Sequence, residues 1–80
     1  MGQYKTIEVE HKAGVDWLWL NRPDALNAIT TEMVTELRGY FDSLMENAET
    51  RVVVMGGRGR AFCAGLDIKA ASDPENVRPF

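Results

Sequence analysis

Polar and apolar residues alternate from Lys5 to Glu10 (KTIEVE), and beyond His11-Lys12-Ala13-Gly14 a second stretch, Val15 to Leu20 (VDWLWL), is dense in aromatic and β-favouring side chains. A period of two puts successive side chains on opposite faces of a strand, so the two stretches predict an antiparallel hairpin with a glycine-containing turn. Asn21-Arg22-Pro23-Asp24 breaks the pattern, because proline lacks the N–H of a sheet ladder and restricts its predecessor. An ordered loop is expected to about Ile29. The period then changes. Thr30 or Thr31 suits an N-cap, Glu32 complements the positive helix end, and Met33, Val34, Leu37, Phe41, Leu44, Met45 and Ala48 recur at helical spacing. An amphipathic helix of about four turns follows, with Glu36, Arg38, Asp42 and Glu46 on a solvated face. Arg51 to Met55 (RVVVM) is a short, continuous, β-branched run, the pattern of a strand buried on both faces of a mostly parallel sheet. The hairpin thus leads into a β-α-β unit of the α/β class. Asp67 to Ala71 can begin a second helix, and the polar tail from Ser72, with two prolines, reads as loop.

Composition narrows the class. With 80 residues, 45% hydrophobic and 26% charged, the chain is expected to form one globular domain or part of one. A chain of this size buries only about 60% of its unfolded surface, and the single Cys63 offers no disulfide framework, which suits a reducing compartment. Neither Trp17–Leu20 nor Val52–Met55 approaches the length of a membrane span, and the N-terminus lacks a signal-peptide apolar core, so a cytoplasmic location is expected. The net charge of −3 argues against nucleic acid as a partner. Charge is unevenly spread, however: between Arg51 and Ala70 four basic residues meet one acid, a local +3.

That cationic part includes GGRGRAFCAGLDIK, residues 56 to 69. It is no Walker loop, because no glycine is followed by Lys and then Ser or Thr. A dinucleotide fingerprint starting at Gly57 would need a third glycine where Phe62 stands. Cys63 has no evident base, since the one histidine, His11, lies at the hairpin turn, so a small apolar core role is expected for the thiol. His11 reads as a surface turn residue, and one His with one Cys argues against a metal site. Asp67 reads as a structural acid at a helix start in preference to a general base. Two readings of the backbone remain open. Ala64-Gly65-Leu66 before a helix start would let a ligand meet main-chain N–H groups, as a developing oxyanion requires; or the turn merely joins strand to helix.

Two stretches in order, Leu20-Asn21-Arg22-Pro23-Asp24-Ala25-Leu26-Asn27-Ala28 and Ala61-Phe62-Cys63-Ala64-Gly65-Leu66-Asp67-Ile68, separated by the helix and Val52-Val53-Val54, resemble the N-terminal part of the enoyl-CoA hydratase/isomerase (crotonase) superfamily. The match runs over about residues 4 to 70. The resemblance implies a β-β-α spiral fold that binds acyl-CoA thioesters and stabilises an enolate with two backbone N–H groups, most simply in hydration of a 2-enoyl-CoA. It implies that Leu66 gives the first of those N–H groups, and that the Ala64 carbonyl, beside Gly65, receives the adenine amino group. Asp24, Ala25 and Leu26 would line the pantetheine; Asp67, Ile68 and Lys69 would lie along the CoA, with Lys69, and Arg58 or Arg60, near the phosphates. Many relatives carry Lys or Glu where this chain has Asp24. No cofactor is implied, since coenzyme A is part of the substrate; the implied assembly is a homo-oligomer, a trimer or dimer of trimers. The second oxyanion donor and the catalytic glutamates of the family match no position up to Phe80. The 80 residues are therefore expected to be the first part of a domain, unstable and without turnover alone. The alternative is a catalytically silent acyl-CoA-binding or subunit-interaction protein, or a non-functional truncated fragment.

Overall fold

The computed structural model describes residues 4–67. Strands β1 (Ile7–Lys12) and β2 (Val15–Leu20) form the hairpin, helix α1 covers Thr31–Ser43, and strand β3 (Val52–Gly57) follows it. The sheet order is β1-β2-β3. β1 and β2 are antiparallel, with Ile7 opposite Leu20 and Lys12 opposite Val15, whereas β2 and β3 are parallel, with Val15 opposite Val52 and Leu20 opposite Gly57. The β-α-β expectation is met, in a sheet that is mixed and not mostly parallel.

The hairpin turn is Ala13-Gly14, with φ of +53° and +82°. Consecutive positive φ angles match the right-handed strand twist in a two-residue turn, which places His11 and Lys12 on β1 and not in the turn. At its other end β1 starts later than the alternation suggests. Glu36 of α1 accepts hydrogen bonds from the Lys5 and Thr6 backbone N–H groups and the Thr6 hydroxyl, at 2.9, 2.8 and 2.7 Å. Those amides are anchored to the helix instead of a ladder. Glu36 is accordingly half-buried, not part of a solvated face.

Thr30 caps α1, its hydroxyl accepting from the Met33 N–H at 3.2 Å. The helix ends at Ser43 and tightens into a 3-10 turn, Leu44–Glu46, short of the expected Ala48. Asn47 sets that boundary, because its side-chain oxygen accepts from the Glu49 N–H at 3.0 Å and offers the backbone a turn in place of a further helical bond. The helix also sits rotated from its expected face. Met33 and Tyr40 are buried with Leu37 and Leu44 packed beside them, while Phe41 and Met45 are exposed. A hydroxyl explains the choice: Tyr40 reaches Asp16 under the sheet, which Phe41 has no group to do.

Leu18 and Leu20 alternate with Trp17 and Trp19 along β2, so the first pair meets Ile7, Met33 and Tyr40 in the core and the second points to the opposite face. β3 departs from expectation. Val53 packs on the core, but Val52 and Val54 remain 52% and 38% exposed and Met55 41%. Among the described residues α1 covers one face of the sheet and β3 stands at its edge, so the second apolar face of β3 has no layer over it.

Candidate functional site

Beyond the strands, two loops cross. Leu26–Ile29 from the β2–α1 connection lies alongside Ala64–Asp67, and three backbone hydrogen bonds tie them: Ala64 N–H to the Leu26 carbonyl at 3.0 Å, Ile29 N–H to Gly65 at 2.7 Å, and Asp67 N–H to Ile29 at 2.8 Å. The last two form a parallel bridge between Ile29 and Leu66. In such a bridge the neighbours of the central residue do the bonding, and its own N–H and carbonyl point to the other side. Leu66 is that residue. Its side chain is 51% exposed.

Asn27 holds the crossing from inside and is fully buried. Its side-chain oxygen accepts from the Arg22 N–H at 2.7 Å, and its amide nitrogen donates to the carbonyls of Arg58 and Ala61 at 2.9 and 2.8 Å. One side chain thus joins the start of the first loop to two points on the second. Gly57 makes room for it: a Cβ there would lie 2.4 Å from the Ala61 oxygen, 2.5 Å from that of Phe62 and 2.7 Å from the Asn27 nitrogen. A second tie runs through the Arg22 guanidinium, which donates to the Ala28 carbonyl at 2.6 Å and to the Asp67 carboxylate at 3.1 Å. Gly65 sits at φ +103°, a conformation that side-chain-bearing residues rarely adopt.

These contacts sort the candidate residues. Leu26, Ala64, Gly65, Leu66 and Asp67 meet at the crossing, with Ala64 exposed and Gly65 half-buried. Asp24 and Ala25 belong to the 3-10 turn Pro23–Ala25 that leads into it. Ile68 and Lys69 lie outside the described residues, as does the second helix expected from Asp67 onward. Asp67 is paired with Arg22, in keeping with the structural role. Arg58, expected near the phosphates, is engaged by β1 and β2. Its Nε donates to Glu8 at 2.7 Å, a terminal nitrogen lies 3.6 Å from Glu10, and the guanidinium stacks 4.4 Å over the Trp19 ring. Cys63 is half-buried against the core, its sulfur accepting from the Gly65 N–H at 3.4 Å.

A second polar group lies elsewhere. Asp16, buried on β2, accepts from the Tyr40 hydroxyl at 2.6 Å and meets His11 Nδ1 at 2.6 Å. Burial works to raise its carboxyl pKa, but the bonds from Tyr40, His11 and Thr50 prevail and hold it below the usual value. Burial and the neighbouring carboxylate push the Tyr40 hydroxyl up. The group lines a cavity of about 310 Å³ with Tyr4, Val9 and Leu44, which shares no residue with the loop crossing. His11 is thus a surface residue, as expected, but one hydrogen-bonded to Asp16 from β1 and not part of the turn. Among the described residues no three His, Cys, Asp or Glu side chains gather as metal ligands.

Residues 15–78 match the family model described as enoyl-CoA hydratase/isomerase. The chain belongs to that family. An enoyl-CoA hydratase/isomerase from Mycobacterium paratuberculosis superposes with a TM-score of 0.83 at 36% identity, covering 98% of this chain and 30% of that one. The mixed sheet and helix are thus a portion of the crotonase fold. Within the hydratase/isomerase family the chain is 40% identical over 70 residues to 3-hydroxyisobutyryl-CoA hydrolase 1 of Arabidopsis thaliana, covering 88% of this chain and 18% of the hydrolase. It is also 40% identical over 67 residues to a small ribosomal subunit protein of Schizosaccharomyces pombe, covering 84% of this chain and 16% of the relative. The chain spans less than a third of the length of these relatives. Their names divide among hydratase, isomerase, hydrolase and ribosomal protein, so family membership does not fix one reaction.

Proposed function

We propose that this chain supplies the thioester-binding turn of an enoyl-CoA hydratase/isomerase-family enzyme, most simply one that hydrates a 2-enoyl-CoA. The observation that carries the reading is the loop crossing. Gly65 and Asp67 are both spent on Ile29, which fixes the Leu66 peptide and leaves its N–H facing outward. Attack on a conjugated thioester, or removal of a proton beside it, places negative charge on the carbonyl oxygen. A pre-aimed N–H stabilises that charge without reorganising, and loss of one such donor typically costs about 10²–10³ in rate. Leucine can hold this role because the main chain, not the side chain, does the work. The exposed Ala64 and the Pro23–Ala25 turn flank the same crossing and are assigned to the CoA portion.

A titration of the ¹⁵N-labelled chain with crotonyl-CoA tests the reading. The Leu66 amide is expected to shift downfield, with Ala64 and Gly65 following; an unmoved Leu66 amide at millimolar ligand overturns it. A second reading has its own support. The carboxylate beside Leu66 in sequence, Asp67, is occupied by Arg22, and one relative is named as a ribosomal protein. A catalytically silent acyl-CoA-binding or subunit-interaction role accords with both. Hydration of crotonyl-CoA by the 80-residue chain, followed by loss of enoyl absorbance, would exclude the silent reading. No turnover is expected from these residues alone, because the acid at the crossing, Asp67, is held by Arg22.

A further inference from the structure

We propose that Asn27 is the positioning residue of the thioester-binding turn, acting through its two amide N–H bonds and not by filling space. The inference rests on the thioester reading above for its purpose, though its geometry is independent of it. Among the described residues Asn27 is the one fully buried polar side chain at the crossing, and its acceptor and both donors are used on three separate backbone points. Arg58 and Ala61 bracket the sharp return of the second loop, where Gly59 has φ +82°. Three residues past Ala61 the chain enters the pairing that aims Leu66. Holding both carbonyls sets where that pairing begins, and Gly57 lacks a Cβ at the place where the Asn27 amide enters.

The backbone at Asn27 supports a selected role for this side chain. Leu26 and Asn27 both adopt positive φ, +53° and +57°. Asparagine tolerates that region better than most residues, and glycine best of all. Conformation alone would favour glycine here; among the residues that tolerate positive φ, only asparagine also gives an acceptor on one side and two donors on the other. Aspartate has the same shape but would set an oxygen against the Arg58 and Ala61 carbonyls.

The shape-preserving swap separates the two roles. In Asn27→Asp, contacts by size are kept and both donors are lost at neutral pH, while protonation of the introduced carboxyl restores one. We expect the Leu66 amide resonance to be displaced and crotonyl-CoA affinity to fall at least about tenfold at pH 7, the cost of buried acceptors left unpaired. Part of the loss should return toward pH 5. Among the described residues the charged groups around the site include Arg22, Asp24, Asp67 and the Arg58 guanidinium held by Glu8; the wild-type chain carries the same groups, so its profile is the control. A flat profile with unaltered affinity would overturn the proposal. Asn27→Gly, which eases the backbone but removes all three bonds, is expected to displace the Leu66 amide as well, and an undisturbed amide there overturns it too. Should either variant fail to fold, the wild-type chain decides: both Asn27 side-chain amide protons must exchange at least tenfold more slowly than an exposed asparagine amide, and exchange at the free rate overturns the proposal. The thioester reading fails separately. If crotonyl-CoA moves no amide in the wild-type chain while Asn27 is protected and its variants displace Leu66, positioning stands without that ligand; if the ligand shifts Leu66 equally in wild type and variants, the thioester reading stands and positioning falls.

Discussion

Gly57 and Gly65 are both glycines of the candidate site, but different physics holds each. At Gly65 a Cβ would meet nothing within 4 Å, and only the φ of +103° excludes a side chain. At Gly57 the obstacle is two carbonyl oxygens and the Asn27 amide, all nearer than 3 Å to the added carbon. Backbone carbonyls cannot yield as the far end of a flexible side chain can. Gly65→Ala should therefore cost about 1–2 kcal/mol of strain, whereas Gly57→Ala should cost about 3 kcal/mol and part the Asn27 amide from its carbonyls. Urea unfolding monitored by Trp17 and Trp19 fluorescence, started in a stabilising osmolyte because the chain is expected to be marginal alone, gives the order directly. A Gly65→Ala midpoint lower than that of Gly57→Ala would mean that conformation, not the close approach of the two loops, dominates the turn.

Elements are joined by carboxylates that no hydrophobic pattern reveals. Glu36 ties α1 to the start of β1, and burial, which would raise its pKa, is outweighed by the Thr6 hydroxyl and the Lys5, Thr6 and Ile7 amides, leaving it lowered. Asp16 ties β2 to α1 through Tyr40 and is lowered too. Both groups bind protons less readily in the folded chain than in the unfolded one, so their stabilisation is complete above the ordinary values of 4.5 and 3.8 and is lost as pH falls below them through the folded values. The urea midpoint should be steady from pH 7 to 5 and then drop, and Glu36→Gln should flatten part of that drop; an unchanged acid limb in the variant would remove Glu36 from the account. The hairpin, a threonine cap at position 30 or 31 and a strand after the helix were legible in the sequence, because period, cap chemistry and β-branching are local; that β3 runs past Met55 to Gly57 was not, because glycine carries no strand signal. Tyr40 in place of Phe41, Glu36 as a latch and Arg58 over Trp19 were not, because each depends on a partner 24 to 50 residues away. At the site, resemblance led to Leu66 and Ala64. Asn27 and Arg22 stood in the same stretch without an assigned role, and what could have marked Asn27 was its residue type: a donor and acceptor able to accept positive φ in a loop bordered by apolar residues.

At the scale of the whole molecule, the consequential feature is the face of the sheet that α1 does not cover. Trp17, Val52 and Val54 lie on it at 39%, 52% and 38% exposure, flanking the parallel pair of β2 and β3. Charge guards one side only: Glu8 and Glu10 of β1 hold Arg58 over Trp19, while β3 offers no charged side chain between Val52 and Gly57. A strand edge without charge, proline or a covering element is a template for pairing. In the solved relative the matched portion is 30% of a longer chain, so this surface accompanies far more protein there than the 80 residues provide. The 80-residue chain is accordingly expected to self-associate through β3 as concentration rises. Sedimentation velocity between about 10 and 300 μM should show the weight-average mass climbing, and Val54→Lys, which places a charge on the exposed face without touching the core or the loop crossing, should restore the monomer. Equal association by the variant would show that the contact lies elsewhere, with the exposed Phe62 and Leu66 beside the site as the next surface to alter.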